Sequence, residues 1–133
     1  MEIVLIDTSV WVNYFKGIST PAALHLKNNV NQIPIATCPT VLQEILQGMK
    51  SDSEAFKVES YFDNMVQLVA DPYELAIEAA LLYRKLRAKG VTVRKPNDCL
   101  IAVYAIKNKV QILHDDIDFV HIAKNSDLKL VEL

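Results

Sequence analysis

Short apolar segments alternate with helical segments along this chain, which predicts an α/β fold with a central parallel sheet flanked by helices in three layers. The first apolar segment, residues 3–6, holds two isoleucines and a valine and stops abruptly at Asp7, which is typical of a strand buried on both faces. The 133 residues suffice for one domain spanning 1–133, and 51% of them are hydrophobic, enough to fill a core. We therefore expect a single domain organised around this first strand.

The remaining elements follow in order, and several of their ends carry recognisable signals. Thr20 and Asp71 stand directly before helix-opening prolines, where N-caps belong, and Gly17 stands where a helix C-cap belongs. Pro34 favours an edge position or the start of its strand. Predicted strands are residues 3–6, 33–37, 65–69, 110–113 and 128–131. Predicted helices are residues 10–16, 21–29, 39–49, 52–64, 72–89 and 97–108, with a short helical turn at 119–124.

Composition and hydropathy indicate the cellular compartment in which we expect this protein. No apolar run approaches the roughly 18 residues of a membrane span, and the N-terminus lacks the pattern of a signal peptide. Cys38 and Cys99 show no metal-type spacing, so we interpret them as core residues in a reducing cytosol. We expect a cytoplasmic protein with no membrane partner.

Basic residues are concentrated in one segment, although the net charge of the chain is −2. Six of the 14 lysines and arginines lie between Arg84 and Lys95, with no acid among them. Such a patch can follow a phosphate backbone even on an acidic protein, but a solvated helix face explains residues 84–89 equally well. Arg94 and Lys95 are the better candidates for contacts to RNA phosphate, because they lead into the acidic residues described next.

Three separated acids fall at positions that helix and strand signals alone do not fully explain. Asp7 follows the first strand, at the sheet edge where α/β proteins bind ligands, although it could simply cap the next helix. Glu44 lies in mid-helix next to apolar and small residues, where a buried charge is costly unless paired or metal-bound, or it is exposed at the border of that face. Asp98 begins a helix whose inner face carries alanines; either Asn97 or Asp98 could instead be a plain cap.

Three more acids, Asp115, Asp116 and Asp118, follow the strand at 110–113 and therefore lie at the same sheet edge as Asp7. Capping of the following turn accounts for one of them, most simply Asp118. Clustered carboxylates repel by about 4 kcal/mol per pair at roughly 4 Å and an effective dielectric constant near 20, so they persist by protonation or by binding a cation. Oxygen ligands without a His/Cys set favour Mg²⁺ or Mn²⁺, which can activate water against a phosphodiester.

Four motifs in this order resemble the PIN-domain ribonucleases, and within them the VapC toxins of bacterial and archaeal type II toxin–antitoxin modules. The resemblance runs nearly end to end. The motifs are residues 6–11 (Ile-Asp-Thr-Ser-Val-Trp), residues 39–44 leading to Glu44, residues 97–102 (Asn-Asp-Cys-Leu-Ile-Ala) and residues 114–119 (His-Asp-Asp-Ile-Asp-Phe).

The resemblance implies a PIN-like fold and a Mg²⁺- or Mn²⁺-dependent endoribonuclease in a prokaryotic cytoplasm. It further implies a homodimer and a cognate antitoxin that inhibits the enzyme. Asp7 and Asp98 would be the principal catalytic metal ligands, Glu44 the third acid and Asp116 the fourth. Supporting residues around them would be Ser9, His114 and Asp118. One departure is that many family members carry a threonine shortly before the third acid, where this chain has Arg94-Lys95-Pro96-Asn97.

Two other functional classes compete with the nuclease. A non-catalytic PIN-like binding module would use the same acids only as caps, and it would show no specific heat of Mn²⁺ binding. A receiver-type aspartyl-phosphate protein fits less well, because no second acid stands two residues after Asp7 and no lysine follows the late strand. The residues themselves leave DNA open as an alternative to RNA.

An antitoxin would need a sizeable apolar surface on this chain. We expect it on the helices between residues 21 and 64, unless these side chains serve the core or a dimer contact. The candidates are Leu24, Leu42, Leu46, Phe56, Tyr61 and Phe62.

Overall fold

A computed structural model describes residues 2–133, and its order of elements confirms the predicted α/β fold with helices flanking a parallel sheet. The described residues form four strands, which are β1 (Val4–Ile6), β2 (Ile35–Thr37), β3 (Val66–Gln67) and β4 (Gln111–Leu113). They form seven helices, which are α1 (Thr8–Lys16), α2 (Pro21–Asn29), α3 (Pro39–Gln47), α4 (Asp52–Phe62), α5 (Pro72–Ala88), α6 (Pro96–Asn108) and α7 (Ile117–Lys124).

All strand pairs in the sheet are parallel, and the strand order is β3-β2-β1-β4. Strand β1 therefore has a neighbour on each side, with Val4 aligned to both Ile35 and Gln111. The chain adds β2 and β3 on one side of β1 and then returns to place β4 on the other. The boundary between β1 and β4 is thus a topological switch point, where open α/β sheets form ligand clefts at the carboxyl ends of the strands.

The sequence interpretation was wrong about the last strand. Residues 128–131 form a single parallel bridge between Leu130 and Ile112 instead of a fifth strand. Two backbone hydrogen bonds hold this bridge, from Ile112 N–H to Lys129 O and from Val131 N–H to Ile112 O, each 3.0 Å long. Pro34 precedes β2, which lies inside the sheet, so the structure agrees with the strand-start alternative.

The largest buried side chain belongs to Trp11 of α1, which packs in an aromatic cluster between α1 and α4. Its ring stacks on Phe15 with centroids 5.7 Å apart and meets Phe62 at 5.0 Å and Tyr61 at 6.0 Å. Phe62 is only 1% exposed, so this candidate for the antitoxin surface is a core residue. Burial of these rings fixes α1, and hence the end of β1, against α4.

None of the helices in the described part of the chain is both long and apolar enough to cross a membrane.

We expect Trp11→Ala to lower the free energy of unfolding by about 3–5 kcal/mol, because it removes a fully buried ring and leaves a cavity. Urea unfolding followed by circular dichroism measures the change. The control is Phe56→Ala, whose ring is 69% exposed and whose removal should change stability by no more than about 0.5 kcal/mol. Equal losses in the two variants would contradict the assignment of Trp11 to the core.

Candidate active site

Asp7 both caps α1 and offers a free carboxylate oxygen. It directly follows β1, and its Oδ2 accepts hydrogen bonds from Ser9 N–H at 3.0 Å and from Ser9 Oγ at 2.6 Å. The side chain is buried, and its Oδ1 atom has no hydrogen-bond partner among the described residues. Burial raises the pKa of Asp7, the Ser9 hydrogen bonds oppose this, and the charge of Glu44 adds to the rise. The cap and the ligand interpretations of Asp7 are therefore compatible.

Asp98 lies in the first turn of α6 without capping it. The N-cap is Lys95, followed by Pro96, so the alternative in which Asn97 or Asp98 caps this helix is wrong. The Asp98 residue is 3% exposed, and its Oδ2 has no hydrogen-bond partner in the part of the chain that the structure describes. Burial, reinforced by the charges of Asp7 and Asp116, raises its pKa from 3.8 to about 7. Asp98 thus provides a second buried carboxylate oxygen without a partner among the described residues.

Glu44 of α3 completes this group through a contact from α1. Its Oε1 accepts a hydrogen bond of 2.7 Å from Thr8 Oγ1, and the side chain is half-buried. Asp7, Glu44 and Asp98 line one cleft of about 340 Å³, together with Thr8, Ser9, Val12, Asn13, Lys95 and Asp115. Three acids from three separate elements therefore line one cleft, whereas Asp116, which the sequence interpretation grouped with them, is not among its lining residues.

Asp116 and Asp118 lie beside this cleft and are held by basic side chains. Arg94 donates from Nη2 to Asp116 Oδ1 at 2.8 Å and from Nε to Asp118 Oδ2 at 3.3 Å, and Lys95 Nζ lies 3.3 Å from Asp116 Oδ2. Burial alone would raise the pKa of Asp116, but the N–H of Asp118 and the two cations lower it overall. Asp98, Asp116 and Asp118 each place an oxygen within 4.8 Å of the others.

The cap of α7 differs from the sequence interpretation. Asp116, instead of Asp118, is the N-cap, and its Oδ1 accepts from Asp118 N–H at 3.0 Å. Asp118 in turn accepts from the backbone N–H of Arg94 at 3.1 Å, which ties the turn before α6 to α7. His114 does not line the cleft; its Nδ1 accepts from Asp116 N–H at 3.2 Å and so supports this turn.

Asp115 was noted in the sequence but was not assigned to the site. It lines the cleft, and its Oδ2 accepts from Asn13 Nδ2 at 2.9 Å and from Thr20 Oγ1 at 2.6 Å. Its backbone N–H donates to Ser9 Oγ at 3.0 Å, so a chain of hydrogen bonds runs from Asp115 through Ser9 to Asp7. The partners are about a hundred residues apart, so no local signal in the sequence could have revealed them. The presence of Thr8 at the site could have been predicted from the sequence, because Thr8 directly follows Asp7.

The donor set of the cleft fits a hard divalent cation. Two buried carboxylates each present an oxygen that has no hydrogen-bond partner within residues 2–133, and Glu44 provides a third acid. Leaving such oxygens unpaired and charged is costly, whereas a cation would satisfy them. A larger cavity, about 580 Å³, lies at the opposite edge of the sheet beside Ile3 and Gln111, and neither unpartnered carboxylate oxygen belongs to it.

The raised pKa of Asp98 makes the stability of the metal-free protein depend on pH. The folded state keeps a proton that the unfolded state releases, so stability falls as pH rises from about 4 to about 7, by up to about 1.4 kcal/mol per pH unit from this group. We expect Asp98→Asn to flatten this decline in thermal melts recorded in EDTA. Asp71→Asn is the control, because Asp71 is an exposed cap of α5. An unchanged decline in Asp98→Asn would contradict the assignment.

Comparisons with known proteins agree with this geometry. The PIN domain model matches residues 4–125. Ribonuclease VapC11 of Mycobacterium tuberculosis is 37% identical over 128 residues, covering 95% of this chain and 96% of that protein. The VapBC-1 structure from nontypeable Haemophilus influenzae superposes with a TM-score of 0.73 at 14% identity, covering 98% of this chain and 97% of that one.

A second solved structure shows the same fold. It is VapBC2 from Rickettsia felis bound to a DNA fragment from its promoter, with a TM-score of 0.70 at 19% identity over 97% of both chains. The likeness to these two structures concerns the fold, whereas the match to the domain model and the 37% identity show the family. The chain belongs to the PIN-domain family, and its relatives there are VapC ribonucleases.

Proposed function

We propose that this chain is a Mg²⁺- or Mn²⁺-dependent endoribonuclease and the toxin of a toxin–antitoxin module. The observation that carries the proposal is the pair of buried, unpartnered oxygens, Asp7 Oδ1 and Asp98 Oδ2, in a cleft at the switch point of the sheet. The 37% sequence identity to a VapC ribonuclease, over 95% of this chain, supports RNA as the substrate and hydrolysis as the reaction.

Four acids in and beside the cleft take stated roles in this proposal. Asp7 and Asp98 would hold the cation, with Glu44 as the third acid and Asp116 as the fourth. A divalent ion bound there would supply an activated water and would stabilise the charge that develops on the phosphate. The chain's own residues prepare the geometry, because Ser9 fixes the orientation of Asp7 and Thr8 that of Glu44. Lys95 lines the cleft and would contact a substrate phosphate.

In the alternative, a non-catalytic binding module, the same acids have different roles. In such a module Asp7 would serve only as a cap, and Asp98 would be a neutral buried acid. The free Oδ1 of Asp7 argues against this interpretation, since capping already uses its other oxygen. Mn²⁺ calorimetry separates the two, because a module that uses its acids only as caps gives no specific heat.

The decisive experiment is cleavage of total cellular RNA with Mg²⁺ or Mn²⁺, and with EDTA. We expect discrete fragments that require the metal, and a loss of at least about 100-fold in Asp7→Asn and Asp98→Asn, because even supporting partners of a metal site contribute about 10- to 100-fold. Asp71→Asn is the matched control, since Asp71 caps α5 away from the cleft. Cleavage that persists in both site variants, or in EDTA, would refute the proposal.

The aromatic surface around Trp11 is our candidate for the site where the antitoxin binds. Phe15 and Tyr61 pack against Trp11 from α1 and α4 and remain 44% and 41% exposed, and Leu24 on α2 is 41% exposed. The VapBC structures contain a toxin and its antitoxin, which supports a partner of this kind. Leu42 and Leu46 of the original candidates are half-buried, and Phe56 is exposed.

We expect the double variant Phe15→Ala/Tyr61→Ala to weaken binding of the neighbouring gene's antitoxin by at least about 10-fold, because buried aromatic anchors contribute most to interface energy. Co-purification followed by calorimetry measures this. Leu133→Ala removes a side chain that is 68% exposed at the C-terminal residue and should leave the affinity unchanged. The same affinity in the double variant would exclude this surface.

A further inference from the structure

Two basic residues before α6 neutralise a part of the acidic cluster. Arg94 reaches Asp116 with Nη2 at 2.8 Å and Asp118 with Nε at 3.3 Å, and Lys95 lies 3.3 Å from the second oxygen of Asp116. Asp116 therefore has a cationic partner on each carboxylate oxygen, and Asp118 has one on Oδ2.

The acids of this chain consequently fall into two groups. In the first, Asp7 and Asp98 each keep a buried oxygen that has no hydrogen-bond partner in the described part of the chain. In the second, Asp116 and Asp118 are already paired with side-chain cations. The two groups are adjacent, because Asp98 places an oxygen within 4.8 Å of both Asp116 and Asp118. A divalent ion can bind the unpartnered oxygens of the first group without displacing a cation, whereas binding to Asp116 would displace Arg94 or Lys95.

The pairing also has a stabilising role that a metal could otherwise fulfil. Asp116 and Asp118 are buried, at 6% and 4% exposed, and buried carboxylates close to a third would repel strongly without a counter-charge. A guanidinium is permanently charged and has several fixed donors, so it can bridge two carboxylates at once. Arg94 is itself 64% exposed and its guanidinium reaches the acids from solvent, so its removal leaves no large cavity in the core.

We propose that Arg94, together with Lys95, is a built-in counter-cation at Asp116 and Asp118, so that the chain binds one divalent ion, at Asp7 and Asp98, and not two. The inference rests on the proposed function, since it assumes that the acids bind a divalent ion. It assigns to Arg94 a charge-compensating role in addition to the phosphate contact that the sequence indicates. It also makes Asp116 a partner of Arg94 instead of a direct metal ligand.

The test is the stoichiometry of Mn²⁺ binding, measured by calorimetry and by electron paramagnetic resonance of free Mn²⁺. We expect one equivalent in the unaltered chain and two in Arg94→Ala/Lys95→Ala, where both oxygens of Asp116 lose their cationic partners. Adding Asp116→Asn to this double variant should return the count to one. Arg94→Lys, which keeps the positive charge, should also bind one equivalent.

The chain offers a matched control in Arg84→Ala/Lys85→Ala, which removes another adjacent Arg-Lys pair, exposed on α5, and should still bind one equivalent. The turn before α6 should stay folded in the test variant, because the hydrogen bond from the backbone N–H of residue 94 to Asp118 does not require the arginine side chain. Circular dichroism checks the fold. Thermal melts give a second readout, since the test variant should be less stable without metal and should gain more from saturating Mn²⁺.

Two equivalents in the unaltered chain, or one in the folded Arg94→Ala/Lys95→Ala variant, would overturn the inference while leaving the nuclease proposal to the RNA-cleavage assay. No Mn²⁺ binding in any variant would instead refute the metal-dependent function, and the inference with it.

Discussion

The position of β1 between two parallel neighbours is the constraint on which the site depends. Leu5 and Ile6 are fully buried, and backbone pairing to β2 and β4 fixes the register of the strand on both sides. The N–H of Asp7 extends the β4 pairing by one step, donating to Leu113 O at 3.0 Å. Because pairing on both sides holds that register, the carboxylate of Asp7 is held at the sheet edge.

Electrostatic repulsion is the second constraint, and the chain meets it in three ways. Burial raises the pKa of Asp7, and two hydrogen bonds from Ser9 oppose that rise because they stabilise the charged form. Asp98 has no such partner and shifts its pKa to about 7, so it is partly protonated near neutral pH in the absence of metal. Asp116 is paired with cations, and its pKa is lowered. Three aspartates of the site therefore have three different electrostatic environments.

These states bear on the proposed chemistry. A divalent ion at Asp7 and Asp98 would have to displace the proton of Asp98, so metal binding and proton release would be coupled. Lys95, which pairs with Asp116, keeps a positive charge in the same cleft, where an RNA phosphate would approach. Acidic and basic side chains from separate segments of the sequence are thus neighbours in the fold.

Local sequence determined most of the fold and the positions of the acids along it. The strand at β1, the helices after Thr20 and Asp71, and the placement of Asp7 and Asp98 follow from apolar spacing, caps and prolines, which act between residues a few positions apart. The motifs at Asp7, Glu44, Asp98 and Asp116 also indicated the family, which the comparisons confirmed. The catalytic roles of these residues stay predictions.

Only the tertiary structure decided which partner each polar side chain takes. Arg94 meets Asp116 and Asp118 across more than twenty residues of sequence, and Asn13 meets Asp115 across about a hundred. Phe62 and its neighbour Tyr61 both pack against Trp11, yet Phe62 is 1% exposed and Tyr61 is 41% exposed. The partner of a long polar side chain depends on the distances to other groups and on the free-energy cost of leaving a charge unpaired. Both are determined only when the helices have packed on the sheet.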